Sequence, residues 1–140
     1  MTELRIDRCD ERAKLPMRAH AHDAGLDLHT LEAFSLAPGG SQLVRTGIRI
    51  ALDTGYVGLI ADRSSCAKRG IVTAGGVIDS GYRGEIGIIL WNISQETHSF
   101  EAQDRVAQLL ILPLATPVVV PASLDTDTVR GTGGFGSSGR

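Results

Sequence analysis

Seven short apolar runs, each bounded by turn-forming residues, constrain what this chain can become more than any other feature. They read "LRID", "LDLHTL", "LVRTGIRIAL", "YVGLIA", "EIGIILWNI", "VAQLLILPL" and "TPVVVPASL". Within "GIRIAL", Ile48, Ile50 and Leu52 alternate with Arg49 and Ala51, the period of two that turns one strand face to a core and the other to solvent. The spacers "APGGS", "LDTG" and "SGYRG" carry the residues that turns require. One segment reads as a helix: in "SSCAKRG", Ser64 or Ser65 can cap the free N–H groups and Gly70 can take the left-handed stop. Many short strands and one short helix in 140 residues predict a single all-β domain, a barrel or sandwich.

Charge narrows the partners. A formal net charge of -2 argues against broad electrostatic contact with nucleic acid or an anionic membrane, both of which call for a basic surface. An anionic ligand must therefore be held by a few local groups. The segment "MTELRIDRCDERAKLP" has no apolar signal region, and no run approaches membrane-spanning length. Cys9 and Cys66 form no C-x-x-C pair and read as reduced thiols, so the expected compartment is cytoplasmic. His20 and His22, two apart in a polar segment, read as solvated loop residues rather than zinc ligands.

Five segments carry chemistry-bearing residues. Arg63 stands directly before the short helix, which suits either an anion site or a plain capped surface helix. In "GGVIDSGYRGEIG", Asp79 follows an apolar pair and Tyr82 marks the tip of an expected β-hairpin; turn capping and turn packing are the alternatives for these two side chains. "AGLDL" sets Asp27 between apolar neighbours, and "DRVAQLLIL" sets Gln108 in a strand where its amide needs a partner. The final "RGTGGFGSSGR" satisfies G-x-G-x-x-G at Gly131, Gly133 and Gly136. A Rossmann turn needs a strand before it and a helix after it, and only four residues follow Gly136. The glycines suit either a flexible terminus or a backbone nest that holds phosphate.

Taken in order, "AGLDL" (24–28), "RSSCA" (63–67), "GGVIDSGYRG" (75–84), "RVAQLL" (105–110) and "RGTGGFGSSG" (130–139) resemble the five motifs of the homotrimeric dUTP pyrophosphatases. The resemblance spans the chain from residue 24 to 139. It implies a jelly-roll-like β-barrel over 1–129 with a glycine-rich phosphate-covering tail over 130–140, assembled as a trimer with sites shared between subunits. It implies hydrolysis of dUTP to dUMP and pyrophosphate with Mg2+. Asp79 matches the carboxylate that orients and deprotonates the attacking water, and Tyr82 the ring that leaves no room for a ribose 2′-hydroxyl. Main-chain groups of the 75–84 segment, those of Gly76, Val77 and Ile78 among them, match the reader of uracil. Arg63, Ser64, Ser65 and Gln108 match phosphate contacts, and Asp27 the carboxylate that meets the water shell of magnesium. Arg130 matches the γ-phosphate contact and Phe135 a ring stacked on uracil, while Gly133, Gly134, Gly136, Ser137 and Ser138 wrap the phosphates.

Three departures mark this chain. Asp62 replaces the usual proline and is expected to bring negative charge near the phosphates; Cys66 replaces a common leucine; Gly81 stands where many members carry an acid, leaving Asp79 as the carboxylate of "IDSGY". A dCTP deaminase, or a bifunctional dCTP deaminase/dUTPase, is one alternative: that related family shares the "RSS" and "ID-x-G-aromatic" segments but needs a glutamate in the following strand, where Ile89 stands. A non-catalytic nucleotide-binding module on the same fold is the other alternative.

Overall fold

The computed structural model describes residues 3–134. Eleven strands form: β1 (Arg5–Arg8), β2 (Leu26–His29), β3 (Phe34–Leu36), β4 (Ser41–Arg45), β5 (Ile48–Ala51), β6 (Tyr56–Asp62), β7 (Ile71–Ala74), β8 (Val77–Ile78), β9 (Gly87–Asn92), β10 (His98–Phe100) and β11 (Arg105–Pro113). A single turn of helix, α1 (Ser64–Ala67), joins β6 to β7. All pairings are antiparallel. They make sheets ordered β2-β11-β6-β8 and β4-β9-β7, with β1-β5 and β10-β3 as two-stranded ribbons. The fold is all-β and jelly-roll-like, as expected, although the ladder among the described residues does not close into one barrel.

Alternation explains the core. Leu28, Ile48, Ile71, Ile88, Leu90, Val106 and Leu109 come from five different strands and are each no more than 1% exposed, and each such burial contributes roughly 1.5–3 kcal/mol. Gly47, with φ 69°, breaks the run "LVRTGIRIAL" into β4 and β5. A Cβ there would stand 2.8 Å from that of Ala13, so the turn needs glycine for both backbone and space.

Three expectations are corrected. The run "TPVVVPASL" forms no strand: Val118, Val119 and Val120 are 87%, 91% and 72% exposed. Apolar β-propensity has no effect without a partner strand, and the described residues offer none to that segment. The expected hairpin at 75–84 is instead a connection between sheets, because β8 pairs with β6 and β9 with β4 and β7. At α1 the N-cap is Arg63, whose carbonyl accepts from Cys66 and Ala67 N–H at 2.9 Å each, and no side chain caps the helix. Gly70 does take the left-handed stop, at φ 78°.

Candidate active site

Strand β11 gathers the first half of the site. Gln108 pairs with Asp27 of β2 on one side and with Ala61 of β6 on the other, so the Asp27 carboxylate, the Gln108 amide and Arg63, just past β6, converge at one end of the sheet. Arg63 Nε donates to Asp27 Oδ1 at 2.9 Å and Arg105 Nη1 to Asp27 Oδ2 at 3.1 Å. Arg63 Nη1 also donates to the Arg105 carbonyl at 3.2 Å and to Ser65 Oγ at 3.3 Å. With Arg63 and Asp27 side chains only 21% and 16% exposed, the guanidinium is fixed before any ligand arrives. Gln108 Nε2 donates to the Asp62 carbonyl at 2.8 Å. Gly25 makes room for that amide, since a Cβ there would run into Gln108 Oε1.

These groups line a cleft of about 480 Å3 together with Asp23, Ala24, Ser64 and Ser65. Its formal charges cancel: Arg63 and Arg105 against Asp23 and Asp27. The negative charge expected from Asp62 does not face it. Asp62 Oδ1 accepts from Thr73 N–H at 2.7 Å and from Thr73 Oγ1 at 2.8 Å, which turns the carboxylate onto β7. Cys66 is 3% exposed and packs in the core.

A second cleft, of about 210 Å3, lies along the connection between sheets and is lined by Gly76, Val77, Ile78, Asp79, Tyr82, Glu85 and Gly87. Gly75 and Gly76 have φ of 68° and 91°, a left-handed pair that other residues adopt only under strain. The exposed Asp79 carboxylate has no hydrogen-bond partner among the described residues, while its carbonyl accepts from Tyr82 N–H at 3.0 Å. Tyr82 donates its hydroxyl to the Glu85 carbonyl at 2.9 Å. Gly84 lets the ring fold back, since a Cβ there would strike the Tyr82 hydroxyl.

The two clefts share no residue. Strand β8 runs antiparallel to β6 with Ile78 opposite Gly58, so the same register sets Asp79 level with Val57. Arg63 lies six residue steps beyond Val57, about 20 Å of strand at roughly 3.3 Å per residue. Arg130 lies in neither cleft and donates from Nε to the Gly133 carbonyl at 3.0 Å. Gly133 and Gly134 follow it without regular structure, and Phe135, Gly136, Ser137 and Ser138 lie outside the described residues.

Sequence reasoning missed Arg105, Asp23 and Glu85. Arg105 and Gln108 are three apart, which strict alternation puts on opposite faces. The pairing of β11 with β2 shifts register between Arg105 and Ala107, and such a bulge re-aims a side chain. Beside the site, His29 is 4% exposed with Nδ1 unpartnered. Burial, with Lys14 adding to it, lowers its pKa to about 4. No group of three or more His, Cys, Asp or Glu among the described residues could hold a metal, and no described helix is long and apolar enough to cross a membrane.

Guanidinium-walled space suited to an oxyanion on one edge, and a carboxylate without a hydrogen-bond partner among the described residues on another, place this chain in the class of jelly-roll-like β proteins with an anion-suited cleft. Known proteins make the class specific. The dUTPase family model matches residues 11–139. The deoxyuridine 5'-triphosphate nucleotidohydrolase of Solibacter usitatus is 40% identical, over 99% of this chain and 97% of its own, and that of Leifsonia xyli subsp. xyli is 45% identical over 90% and 86%. Among solved structures, a mutant dUTPase of Staphylococcus bacteriophage 80alpha with dUpNHpp superposes with a TM-score of 0.93 at 27% identity, each chain covered in full (100%). A mutant dUTPase of phage phi11 of S. aureus, described with a structural Mg(II) ion, gives 0.83 at 26% identity, over 89% of this chain and 99% of its own. The chain belongs to the dUTPase family.

Proposed function

We propose that this chain hydrolyses dUTP to dUMP and pyrophosphate in the cytoplasm, supplying dUMP and keeping uracil out of DNA, and that it does so as a homotrimer. The observation that carries the reading is the separation of the two clefts. One has guanidinium and amide groups for phosphates, the other has a free carboxylate beside a glycine-shaped backbone pocket, and about 20 Å of strand lies between them. A single substrate engages both when the first cleft of one subunit meets the second cleft of its neighbour. Exposed apolar side chains support association: Leu43 pairs with Ile89 across β4 and β9, and Trp91 lies two residues further on, the three being 63%, 40% and 44% exposed.

In this mechanism Asp79 accepts the proton of the water that attacks the α-phosphorus, a role open to it because no described residue occupies its oxygens. Backbone groups of Gly76, Val77 and Ile78 read uracil, and Tyr82 packs under the deoxyribose, its ring anchored through Glu85. Arg63, Ser64, Ser65 and Gln108 bind the phosphates of the bound nucleotide. Residues 130–140 act as a tail beyond the 1–129 body: Arg130 meets the γ-phosphate, Gly133, Gly134, Gly136, Ser137 and Ser138 wrap the phosphates, and Phe135 stacks on the base.

The cleft's formal charges sum to zero, so a triphosphate needs counter-charge from outside it, which Mg2+ and Arg130 would supply. The donor set fits such an ion: Asp27 is one carboxylate whose oxygens retain lone pairs for a water, in a cleft without a protein cage. Bound there, the ion would neutralise phosphate charge. Ile89 offers no proton carrier for deamination. The direct test is pyrophosphate release from dUTP, dCTP and UTP with and without Mg2+. Release from dUTP alone, and only with Mg2+, is expected; ammonia from dCTP, or no turnover, would overturn the reading.

A further inference from the structure

Beyond the wall formed by Arg63 and Arg105 lies another cavity, of about 210 Å3, bounded also by Ser65, Arg69, Phe100 and Asp104. Three guanidiniums face one carboxylate there. Asp104 Oδ2 already accepts from Glu101 N–H at 2.9 Å, and Asp23 and Asp27 line the first cleft but not this cavity. Asp27, bonded to Arg63 and Arg105 at 2.9 and 3.1 Å, offsets one of the three guanidiniums and Asp104 a second, so the smaller cavity is the more positive of the two by the charge of Arg69, to which none of the motif positions points.

Arg69 is positioned in advance. Its Nη2 donates to His98 Nδ1 at 3.2 Å, and its guanidinium lies 5.3 Å from the centre of the Phe100 ring, which stacks on Phe34 at 4.8 Å. An arginine cannot accept, so His98 Nδ1 is the acceptor and Nε2 carries the hydrogen. That hydrogen points to Ser94 Oγ at 3.0 Å, and Ser94 donates to Asn92 Oδ1 at 2.7 Å. Asn92 is 0% exposed and its amide bonds the Leu36 and Glu96 carbonyls. A relay rooted in the core thus fixes one edge of the guanidinium. Arg69 Nε and Nη1, and Arg105 Nε and Nη2, make no hydrogen bond to any described residue. A stacked, pre-oriented guanidinium loses little freedom on binding an oxyanion.

We propose that this cavity is a second anion site that takes inorganic pyrophosphate. A space of about 210 Å3, open to solvent, leaves room for a diphosphate with part of its hydration. The face of Phe100 is occupied by Arg69 and Phe34, which leaves no platform for a base. The choice of pyrophosphate rests on the dUTP-hydrolysis reading, because that reaction releases it next door. The existence of an oxyanion site rests on the residues alone.

The test follows the Arg69 Nε–H resonance of the full chain during titration with pyrophosphate, phosphate and chloride at matched ionic strength. Saturable shifting by pyrophosphate is expected, with and without saturating dUpNHpp. Calorimetry on Arg69→Gln should show pyrophosphate binding weakened about tenfold, the loss of one charge-assisted contact, with dUpNHpp affinity within about twofold of wild type. An unmoved Arg69 signal would overturn the site whether or not the protein hydrolyses dUTP. Equal loss of dUpNHpp in Arg69→Gln would make the cavity part of the first cleft. Saturation by phosphate but not pyrophosphate would overturn the choice of ligand.

Discussion

Gly25→Ala reaches the phosphate cleft through a single methyl group. The added Cβ would lie 2.8 Å from Gln108 Cδ and 3.0 Å from Gln108 Cβ, and would run into Oε1, so the amide must swing away. Swinging breaks the 2.8 Å bond from Nε2 to the Asp62 carbonyl, which costs about 1 kcal/mol, or as much as about 3 if that carbonyl is left unpaired. Gly25 does not have positive φ, so alanine recovers about 0.4–1 kcal/mol by restricting the unfolded chain. The net is a destabilisation of about 1 kcal/mol, a drop of a few degrees in Tm. On the proposed function activity should suffer more, because the Gln108 amide leaves the cleft: KM for dUTP should rise about tenfold for one lost contact to a charged group. The assay is a double-mutant cycle on kcat/KM and Tm with Gly25→Ala, Gln108→Ala and both together. Gly81→Ala serves as control, since its Cβ meets nothing within 4 Å. If Gly25 acts through Gln108, the alanine at 25 costs less than about 0.5 kcal/mol once the amide is gone. An equal cost in both backgrounds would refute the reasoning.

Three further outcomes are expected. Asp79→Asn should bind dUpNHpp normally while turnover falls by roughly 10²–10⁴; single-turnover kinetics alongside analogue binding separates the two. The buried His29, its pKa lowered from 6.5 to about 4, takes up its proton in the unfolded chain first, so stability is full above about pH 6.5 and declines by about 3 kcal/mol as pH falls to about 4; thermal melts of magnesium-free wild type and His29→Gln should diverge in that window and nowhere above it. Truncation after Val129 should leave Tm unchanged and sharply reduce hydrolysis, because among the described residues Arg130 bonds only within its own turn; a fall in Tm would make residues 130–140 part of the folded body.

The parts of the fold legible in the sequence were those governed by period and punctuation. Ile48 and Ile50 alternate into the core as their spacing requires, and Gly70 stops α1. Non-local decisions were not legible. Val118–Val120 have strand-forming side chains but no strand to pair with among the described residues, and β8 pairs with β6 rather than with the strand that follows it. The same holds at the site. Asp27, Arg63, Gln108 and the Asp79–Tyr82 turn were visible from their segments, whereas Arg105 entered the cleft through a bulge that no pattern of alternation predicts. The effect of Asp62 depended on Thr73, eleven residues away on another strand.

The central claim is that each working site takes its phosphate-binding groups from one subunit and its carboxylate from another. Asp79→Asn and Arg63→Gln chains, each inactive alone, should be unfolded together, refolded as mixed trimers and assayed on dUTP. At equal proportions, a site built from two different subunits receives intact Arg63 and intact Asp79 in about one case in four, so activity should return to about a quarter of wild type. Sites contained within one subunit would each keep a defect, and a mixture as inactive as its components would contradict the account.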